Sequence, residues 1–488
     1  MTERTLGLLT ATELTAKLRA RHVSSRELLN HFAERRAAHN GALNAIVTVD
    51  EEAASVAAAE ADERLAAGGE TPALLGLPMT IKDALATKGM RSTGGAIELA
   101  DHIPETDAEV VSRARAAGAV ILGKTNLPRW SADVQAHNEI FGTTNNPWDQ
   151  SRGPGGSSGG AAAAVAAGLT GADIGTDIGG SVRLPAHFSG ICGHKPSFGI
   201  VPQLGYLSHE TYQTGEPDVN VIGPLARSVD DCELLLDVLA GPKQDLQSAW
   251  HFTLPGARHP EPNAYRVAAH LDDAVAPVGS QVAAVLHDAV RSIEASGIAV
   301  DHSAWPQDLA FNDVHHVGLP LISAATSPAR GGEQFAEMQR IVLDPDSQPE
   351  SMQMRAQATA MFHRDWLLLG ERRDQNRAKW SHFFADFDVL LAPVAITAAF
   401  PHMHEGTLYS RNLCIDGVDR PYSQLIVWTA QFGYVGLPST VVPVGLTSNG
   451  LPVGIQVIGP YLGDRSTLAF ARHIEALLGG YQVPPGFE

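Results

Sequence analysis

The sequence predicts an α/β fold, in which helices cover a central β-sheet. Segments with helical spacing of apolar residues alternate with short, strand-like apolar segments, and turns rich in glycine and proline separate them. This alternation is typical of α/β proteins. Hydrophobic residues make up 44% of the 488 residues and charged residues 18%, which is enough apolar material for a large buried core.

The first seventy residues are predicted to be helical. Thr10 with Glu13, and Ser24 with Glu27, have capping-box spacing, and apolar residues follow each pair at helical intervals. These signals predict two short helices, and DEEAASVAAAEADERLAA predicts a third.

Helices and strands alternate in the next part, from residue 75 to residue 240. LGLPMTIKDAL predicts a turn that leads into a buried strand, and AEVVSRARAAG followed by AVILGKT predicts a helix and a strand. An alanine-rich helix, a glycine-rich turn and the segment GICGHKPSFGIVP continue the pattern.

The remaining half contains a candidate domain boundary in the Pro-rich segment HFTLPGARHPEPNAY. A strand in RVAAHLDD and a helix over 280–296 are predicted after it. The stretch 305–385 is mostly helical in pattern and predicts a cap or insertion over the site. An Asn449-Gly450 hairpin and a helix that ends at Gly479 close the chain.

Charge and cysteine content narrow the functional classes. The net charge of −19 repels nucleic-acid phosphates and anionic lipids, so we expect no nucleic-acid and no membrane partner. Three scattered cysteines are too few for a disulfide framework or a zinc cluster. The amino terminus lacks a signal-peptide pattern, and the chain lacks a long apolar run. We therefore expect a cytoplasmic protein.

Two segments of the sequence match known motifs letter for letter, one for a phosphate-binding loop and one for a nucleophile elbow. Residues 118–125, GAVILGKT, fit the phosphate-loop pattern, but Ala-Val-Ile-Leu between the glycines is strand-like, so we interpret the segment as a core strand. Residues 155–159 fit the nucleophile-elbow pattern around Ser157. The preceding DQSRGP is not the hydrophobic strand that an elbow requires, which argues against an α/β-hydrolase.

The segment GTDIGGS places two glycines directly before Ser181. Glycine lets the backbone approach a substrate closely and turn several N–H groups toward it. Such donors form an oxyanion hole. Ser181 is therefore the best-placed nucleophile, with a plain tight turn as the alternative.

Other reactive side chains have simpler interpretations. His402 with His404, and His315 with His316, could suggest a metal site, but the sequence offers no third ligand and favours surface histidines. Cys192 lies close to the serines, and a small buried thiol is the simplest interpretation.

Six segments together are similar to the amidase signature family, and they follow the family's order over most of the chain: LPMTIKD, LGKTN, FGTTNNPW, PGGSSGG, GTDIGGSVRLPAHFSGICGHKPS and GLPVGIQVIGP. Lys82, Ser157 and Ser181 fall at the family's spacing. The resemblance implies a single domain, 1–488, with a large, mixed, twisted sheet covered by helices on both faces.

The resemblance also implies a Ser-(cis)Ser-Lys triad. Ser181 is then the nucleophile, Ser157 the bridging serine and Lys82 the base, with a cis peptide bond between Gly156 and Ser157. The oxyanion hole consists of N–H groups of Ile178, Gly179, Gly180 and Ser181.

The same resemblance assigns supporting roles. Ser158 and Thr176 are expected to hydrogen-bond around the triad, and Asp177 and Arg183 to brace the loop. No metal or organic cofactor is implied.

A base at position 82 must be neutral. Burial lowers the pKa of a lysine, and Met79-Thr80-Ile81 supplies apolar cover. Asp83 should point to the opposite face of the strand. By composition alone, Lys124 and Lys195 are rival bases.

Several positions depart from the family pattern: Arg129, His194 and Phe432-Gly433-Tyr434. These departures bear on the class of substrate, and none of them changes Lys82, Ser157 or Ser181. Trp130, Ser131 and Ala132 are pocket candidates, with plain packing as the alternative.

The resemblance predicts a hydrolase of small amides, including aryl acylamides, with carbamates (urethanes) or esters within reach. The alternative is the glutaminase component of a tRNA-dependent amidotransferase. Amphipathic amino-terminal helices favour a homodimer.

Overall fold

The computed structural model describes residues 6–207, 215–345 and 350–488. Within these ranges the chain forms one large mixed sheet, two small two-stranded sheets and fourteen α-helices. The strands are β1 (Ile46–Val49), β2 (Pro78–Lys82), β3 (Val120–Thr125), β4 (His137–Asn138), β5 (Gly142–Thr143), β6 (Asp173–Asp177), β7 (Cys192–Lys195), β8 (Val221–Ala226), β9 (Val267–Ala269), β10 (Val300–Asp301), β11 (Val389–Pro393), β12 (Asn412–Ile415), β13 (Val418–Pro421), β14 (Ser439–Leu446) and β15 (Pro452–Ile458).

Most of the α-helices lie between these strands along the chain, which confirms the predicted α/β class. They are α1 (Ala11–Arg19), α2 (Ser25–Leu43), α3 (Glu51–Ala67), α4 (Glu109–Ala116), α5 (Gly159–Ala166), α6 (Arg183–Ser189), α7 (Val229–Leu239), α8 (Ser280–Ala295), α9 (Leu319–Ala325), α10 (Gly332–Leu343), α11 (Glu350–Thr359), α12 (His363–Asp386), α13 (Val427–Gly433) and α14 (Asp464–Leu478).

The large sheet has eleven strands in the order β1-β3-β2-β6-β8-β7-β14-β15-β11-β9-β10. Strand β2 lies parallel to both β3 and β6, whereas β8, β7, β14 and β15 pair antiparallel with their neighbours. Every residue of β2, β3 and β6 is buried, as a strand covered on both faces should be. The segment with the phosphate-loop letters is β3, so its interpretation as a core strand is confirmed.

The amino-terminal helices are confirmed, including both capping boxes. Thr10 and Ser24 each accept a hydrogen bond from the backbone of the glutamate three residues later, and that glutamate side chain bonds back. The second helix is longer than predicted, because 19 residues continue from Ser25 to a left-handed cap at Asn44.

The candidate boundary in the Pro-rich segment does not separate two sheets. Strand β9, which follows the segment, pairs in parallel with β11 and β10 at the far end of the large sheet. The two halves of the sequence therefore share one sheet. Apolar residues flanking the segment belong to the same hydrophobic core as the first half.

The stretch 305–385 is mostly helical, as predicted, and contains α9, α10, α11 and α12 with a π-helical turn over Val314–Gly318. Residues 346–349 of this stretch lie outside the described ranges. The hairpin at Asn449-Gly450 joins β14 to β15, and α14 ends at Gly479 in the left-handed conformation, as predicted. Across the described ranges, no helix combines the length and the apolar character needed to cross a membrane.

Candidate active site

Two glycine-rich loops meet at the carboxyl ends of β2 and β6. One loop precedes α5 and carries Ser157, and the other joins β6 to α6 and carries Ser181. Helix α5 is fully buried. A Cβ atom at Gly160 would lie 2.3 Å from the backbone nitrogen of Asn126, so this helix can approach the sheet only without a side chain there.

Lys82 is the last residue of β2, and its side chain is fully buried. Its Nζ donates hydrogen bonds to Ser157 Oγ at 2.6 Å and to Thr176 Oγ1 at 2.8 Å. The strand alternation that directs Lys82 toward these hydroxyls turns Asp83 away. Asp83 instead accepts hydrogen bonds from the backbone and hydroxyl of Thr93.

Burial controls the charge of the lysine. It lowers the pKa of Lys82 from 10.5 to about 7, although Asp177 and Asp173 act in the opposite direction. Desolvation disfavours the ammonium form because the low-dielectric interior replaces water around it. Near neutral pH, Lys82 can therefore either accept or release a proton.

The two serines differ in accessibility. Ser157 is fully buried, whereas Ser181 keeps 8% of its surface exposed. The Ser158 N–H donates to the Ser181 carbonyl oxygen at 3.2 Å and joins the two loops. The peptide bond between Gly156 and Ser157 is cis, as predicted.

Ser158 and Thr176, the predicted hydrogen-bonding residues, lie beside Lys82 and Ser157. The Ser158 hydroxyl is within 3.4 Å of both the backbone nitrogen and the carbonyl oxygen of Thr176. Thr176 Oγ1 in turn receives the bond from Lys82. The arrangement ties β6 to the serine loop and fixes the position of the lysine amine.

The turn after β6 presents backbone N–H groups, and one predicted donor is occupied. Gly180 N–H donates to Asp177 Oδ1 at 2.8 Å, so it cannot at the same time bind an oxyanion. Among the described residues, the N–H groups of Ile178, Gly179 and Ser181 have no hydrogen-bond acceptor. Thr429 supports the turn from α13 by donating to the Gly179 carbonyl oxygen at 2.6 Å.

Asp177 and Arg183 form a fully buried ion pair directly behind this turn. Arg183 Nη2 lies 2.9 Å from Asp177 Oδ1, and its Nε lies 3.0 Å from Oδ2. Burial by itself would raise the pKa of Asp177, but the adjacent guanidinium lowers it below the usual value. The charged carboxylate then accepts N–H bonds from Gly180 and Val182, which fixes the shape of the turn.

The two rival lysines are also buried, but neither is hydrogen-bonded to Ser157 or Ser181. Lys124 donates to the Leu85 carbonyl, Thr87 Oγ1 and Ser92 Oγ. Lys195 donates to the carbonyl oxygens of Pro196 and Leu437.

A cavity of about 580 Å³ opens in front of the turn at Ile178. All three pocket candidates from the sequence, Trp130, Ser131 and Ala132, line it. Trp130 and Ser131 adopt positive φ angles of 51° and 56°, a strained conformation for side-chain-bearing residues. Sequence reasoning missed these further lining residues: Asp133, Tyr206, Arg330, Gln334, Leu408 and Arg411.

The residues that depart from the family pattern have structural partners. His194 is buried and bonded to Thr440 and Asp464. Arg129 pairs with Glu98 at the edge of the cavity. Phe432 packs against Trp380, and the Tyr434 hydroxyl accepts from Asn376 at 3.0 Å.

The histidine pairs do not assemble a metal centre. In the described ranges, no three His, Cys, Asp or Glu side chains are grouped so as to hold a metal ion. His402 is half-buried rather than on the surface, and its ring stacks against that of His404. Cys192 is buried, as predicted, and burial raises the pKa of its thiol well above the usual value.

Comparisons with known proteins indicate the family of the chain. A family model described as Amidase matches residues 27–468. A glutamyl-tRNA(Gln) amidotransferase subunit of Ralstonia nicotianae is 32% identical over 493 residues, covering 94% of this chain and 95% of the relative. The corresponding protein of Thioalkalivibrio sulfidiphilus is also 32% identical, with 98% and 99% covered.

Solved structures show the same fold. A bacterial aryl acylamidase of the amidase signature family has a TM-score of 0.80 at 25% identity, covering 98% of this chain and 99% of that chain. An amidase has a TM-score of 0.78 at 28% identity, with 96% and 100% covered. The chain therefore belongs to the amidase signature family of enzymes, which hydrolyse amide C–N bonds.

Proposed function

We propose that this chain hydrolyses small amides, including aryl acylamides, through an acyl-enzyme on Ser181. The observation that carries the proposal is the 2.6 Å hydrogen bond between Lys82 Nζ and Ser157 Oγ. A lysine with a pKa of about 7 stands behind a buried serine, and the more accessible Ser181 lies in the adjoining loop. These are the parts of an activated nucleophile.

The first half of the reaction forms the acyl-enzyme. Neutral Lys82 accepts the proton of Ser157 while Ser157 accepts the proton of Ser181, and Ser181 Oγ attacks the amide carbonyl. The N–H groups of Ile178, Gly179 and Ser181 bind the oxyanion that develops. One such donor is commonly worth about 3–4 kcal/mol of transition-state stabilisation.

The C–N bond then breaks, and the second half releases the acid. Ser157 gives its proton to the leaving amine and is reprotonated by Lys82, which returns to the neutral form. Water attacks the acyl carbonyl as the relay removes its proton. Cleavage of the Ser181 ester bond returns the proton to Ser181 Oγ, so each residue ends as it began.

The cavity walls support aryl and apolar substrates. Trp130 and Tyr206 contribute aromatic faces, and Ile178 and Leu408 contribute aliphatic surface. Aromatic rings pack favourably against such walls. Carbamates and esters present the same carbonyl to the same donors, so we include both among the substrates to be tested.

A glutaminase role within an amidotransferase is the second candidate. It is supported by 32% identity, over nearly the whole chain, to the amidotransferase relatives. A free amino acid substrate needs an acid for its ammonium group. In the cavity lining, Asp133 is already bonded to Arg411 at 2.6 Å and to the Tyr422 hydroxyl at 3.0 Å. The other acid of the lining, Glu139, is exposed to solvent rather than enclosed in the cavity. We therefore favour the stand-alone amidase.

The test combines covalent labelling with a substrate panel. The full chain is treated with a fluorophosphonate, and the modified peptide is mapped by mass spectrometry. Hydrolysis of p-nitroanilides, glutamine and an aryl carbamate is measured in parallel. S181A should lose both adduct and turnover, and S157A should be strongly slowed. S303A, a change at an exposed serine, serves as the matched control.

Each result decides one part of the proposal. An adduct on Ser181 with anilide hydrolysis supports the stand-alone amidase. Turnover of glutamine but not of anilides would favour the amidotransferase role. An adduct on Ser157 alone, or full turnover by S181A, would refute the triad. Size-exclusion chromatography with light scattering on the same sample tests the proposed homodimer.

A further inference from the structure

Arg330 lines the cavity that opens at the turn beside Ser181, and no residue in the described part of the chain provides a counter-ion for it. It follows a short 3-10 helix over Ser327–Ala329 and shares the cavity lining with Ile178 of the turn beside Ser181. Its Nε is enclosed and has no hydrogen-bond partner. No carboxylate among the described residues lies within ion-pair distance of its guanidinium.

The other two arginines of the cavity differ from it. Arg129 pairs with Glu98, and Arg411 pairs with Asp133. Both of these guanidinium groups are therefore neutralised by residues of the chain itself. The remaining acid of the lining, Glu139, is exposed and forms no ion pair with Arg330.

A second arginine near Arg330 also has no ion-pair partner within the part of the chain that the structure describes. Arg355, in α11, has an enclosed Nε that bonds to no described residue, and its guanidinium stacks on the ring of Tyr409 at 4.8 Å. Burial first, and then the charge of Arg355, lower the pKa of Arg330. The two guanidinium groups are therefore close enough to repel each other electrostatically, in a chain whose net charge is −19.

This arrangement is costly for the protein alone. A half-buried guanidinium loses hydration, and it recovers that loss only when an anion accepts its N–H groups. The planar fork of arginine matches a carboxylate, which it can bind through two parallel hydrogen bonds. An anion at this place would also relieve the repulsion between the two arginines.

We propose that Arg330 binds a carboxylate carried by the substrate, so that the preferred substrates are amides with an anionic acyl or amine part. This inference rests on the proposed catalytic function of the same cavity. Trp130 and Tyr206 then hold the uncharged portion, and Arg330 orients the charged end while the scissile carbonyl faces the turn at Ile178.

The test compares pairs of substrates that differ only by a carboxylate in place of a methyl group. On the acyl side these are succinyl against butyryl p-nitroanilide and glutaryl against valeryl p-nitroanilide. On the amine side they are 4-acetamidobenzoate against 4-acetamidotoluene. The measured quantity is the ratio of kcat/KM within each pair, which does not depend on the fraction of folded enzyme.

In the wild-type chain we expect the carboxylate member to be favoured about 10- to 100-fold in at least one pair, as for a charged hydrogen bond. R330Q should bring that ratio close to one, and R330K should restore part of it. R340Q is the matched control, because Arg340 in α10 is exposed and pairs with Glu337. This control should keep the wild-type ratio.

Two outcomes would overturn the inference: ratios at or below one in every pair for the wild type, or an unchanged preference in R330Q. If no anilide is hydrolysed at all, the proposed function fails separately. The carboxylate site is then decided by calorimetric titration of glutarate and benzoate. Binding to the wild type that is lost in R330Q supports the site, and equal or absent binding in both proteins refutes it.

Discussion

Replacing Lys82 by methionine tests the proposed base through stability as well as activity. In the folded chain burial lowers the pKa of Lys82 from 10.5 to about 7. The unfolded chain therefore retains this proton at pH values where the folded chain has released it. Between these two pKa values the unfolded state binds more protons, so a rise in pH stabilises the fold of the wild-type protein.

The magnitude follows from the shift. A displacement from 10.5 to about 7 corresponds to a penalty of roughly 5 kcal/mol against the fold when the lysine is charged. K82M removes this penalty, so its free energy of unfolding should exceed that of the wild type most strongly below pH 7. The advantage should then shrink by about 1.4 kcal/mol per pH unit as pH rises above 7. The lost hydrogen bonds to Ser157 and Thr176 add an offset that does not depend on pH.

The same shift determines activity. At pH 7.5, about three quarters of Lys82 is neutral with a pKa near 7, against about one thousandth with the ordinary value of 10.5. We expect kcat/KM for a p-nitroanilide to rise with pH through about 7 and then level off. K82M should lose most of this activity at every pH although its fold is more stable at low pH.

The assay is urea unfolding of the wild type and K82M at pH 6, 7.5 and 9, with the pH profile of kcat/KM measured on the same preparations. K88M, at an exposed lysine, should differ from the wild type equally at all three values. A difference between K82M and the wild type that is the same at pH 6 and pH 9 would refute the low pKa of Lys82. A kcat/KM that keeps rising toward pH 10 would refute its role as the base.

Three further predictions concern the turn and the cavity. Gly180→Ala should destabilise the fold by at least about 1–3 kcal/mol in urea unfolding, because φ at Gly180 is +123° and the added Cβ would lie 2.5 Å from a threonine oxygen. Gly179→Ala is the control: its added Cβ would lie 3.7 Å from the nearest atom, so its stability should stay close to that of the wild type. Asp177→Asn leaves the buried Arg183 unpaired and should lower the free energy of unfolding by about 3–5 kcal/mol. Asp288→Asn, at an exposed ion pair, should lower it by less than about 1 kcal/mol. Equal decreases in the two variants would contradict the structural role of the buried pair. Trp130→Ala should raise KM for aryl anilides more than for acetamide, and equal changes for both would remove Trp130 from the substrate pocket.

The sequence predicts the local structure well where a few neighbouring residues decide it. The capping boxes at Thr10 and Ser24, the hairpin at Asn449-Gly450 and the glycine cap at Gly479 all form as expected. Each of these features depends on contacts within a few residues. The sequence did not show that the large sheet continues past the Pro-rich segment into β9, because this depends on strand pairing between distant segments.

The candidate site shows the same limit. The positions of Ser157 and Ser181 were predictable because both lie in continuous glycine-rich segments. The wall formed by Arg330 and Leu408 was not, since these residues come from distant parts of the chain without a local signal. The occupation of Gly180 N–H by Asp177 was also missed, because the sequence does not reveal which way a carboxylate folds back on its own turn.

Three buried lysines show why burial alone does not identify a base. Burial lowers the pKa of Lys82 and Lys195 to about 7 and that of Lys124 to about 8, so by charge state any of them could accept a proton near neutral pH. Their hydrogen-bond partners separate them. Lys195 donates only to carbonyl oxygens, which have no proton to give. Lys124 donates to hydroxyls of Thr87 and Ser92, which belong to neither of the two serine loops. Lys82 alone among these three donates to a hydroxyl in the loop joined to Ser181, so the proposal of Lys82 as the base depends on geometry rather than on pKa.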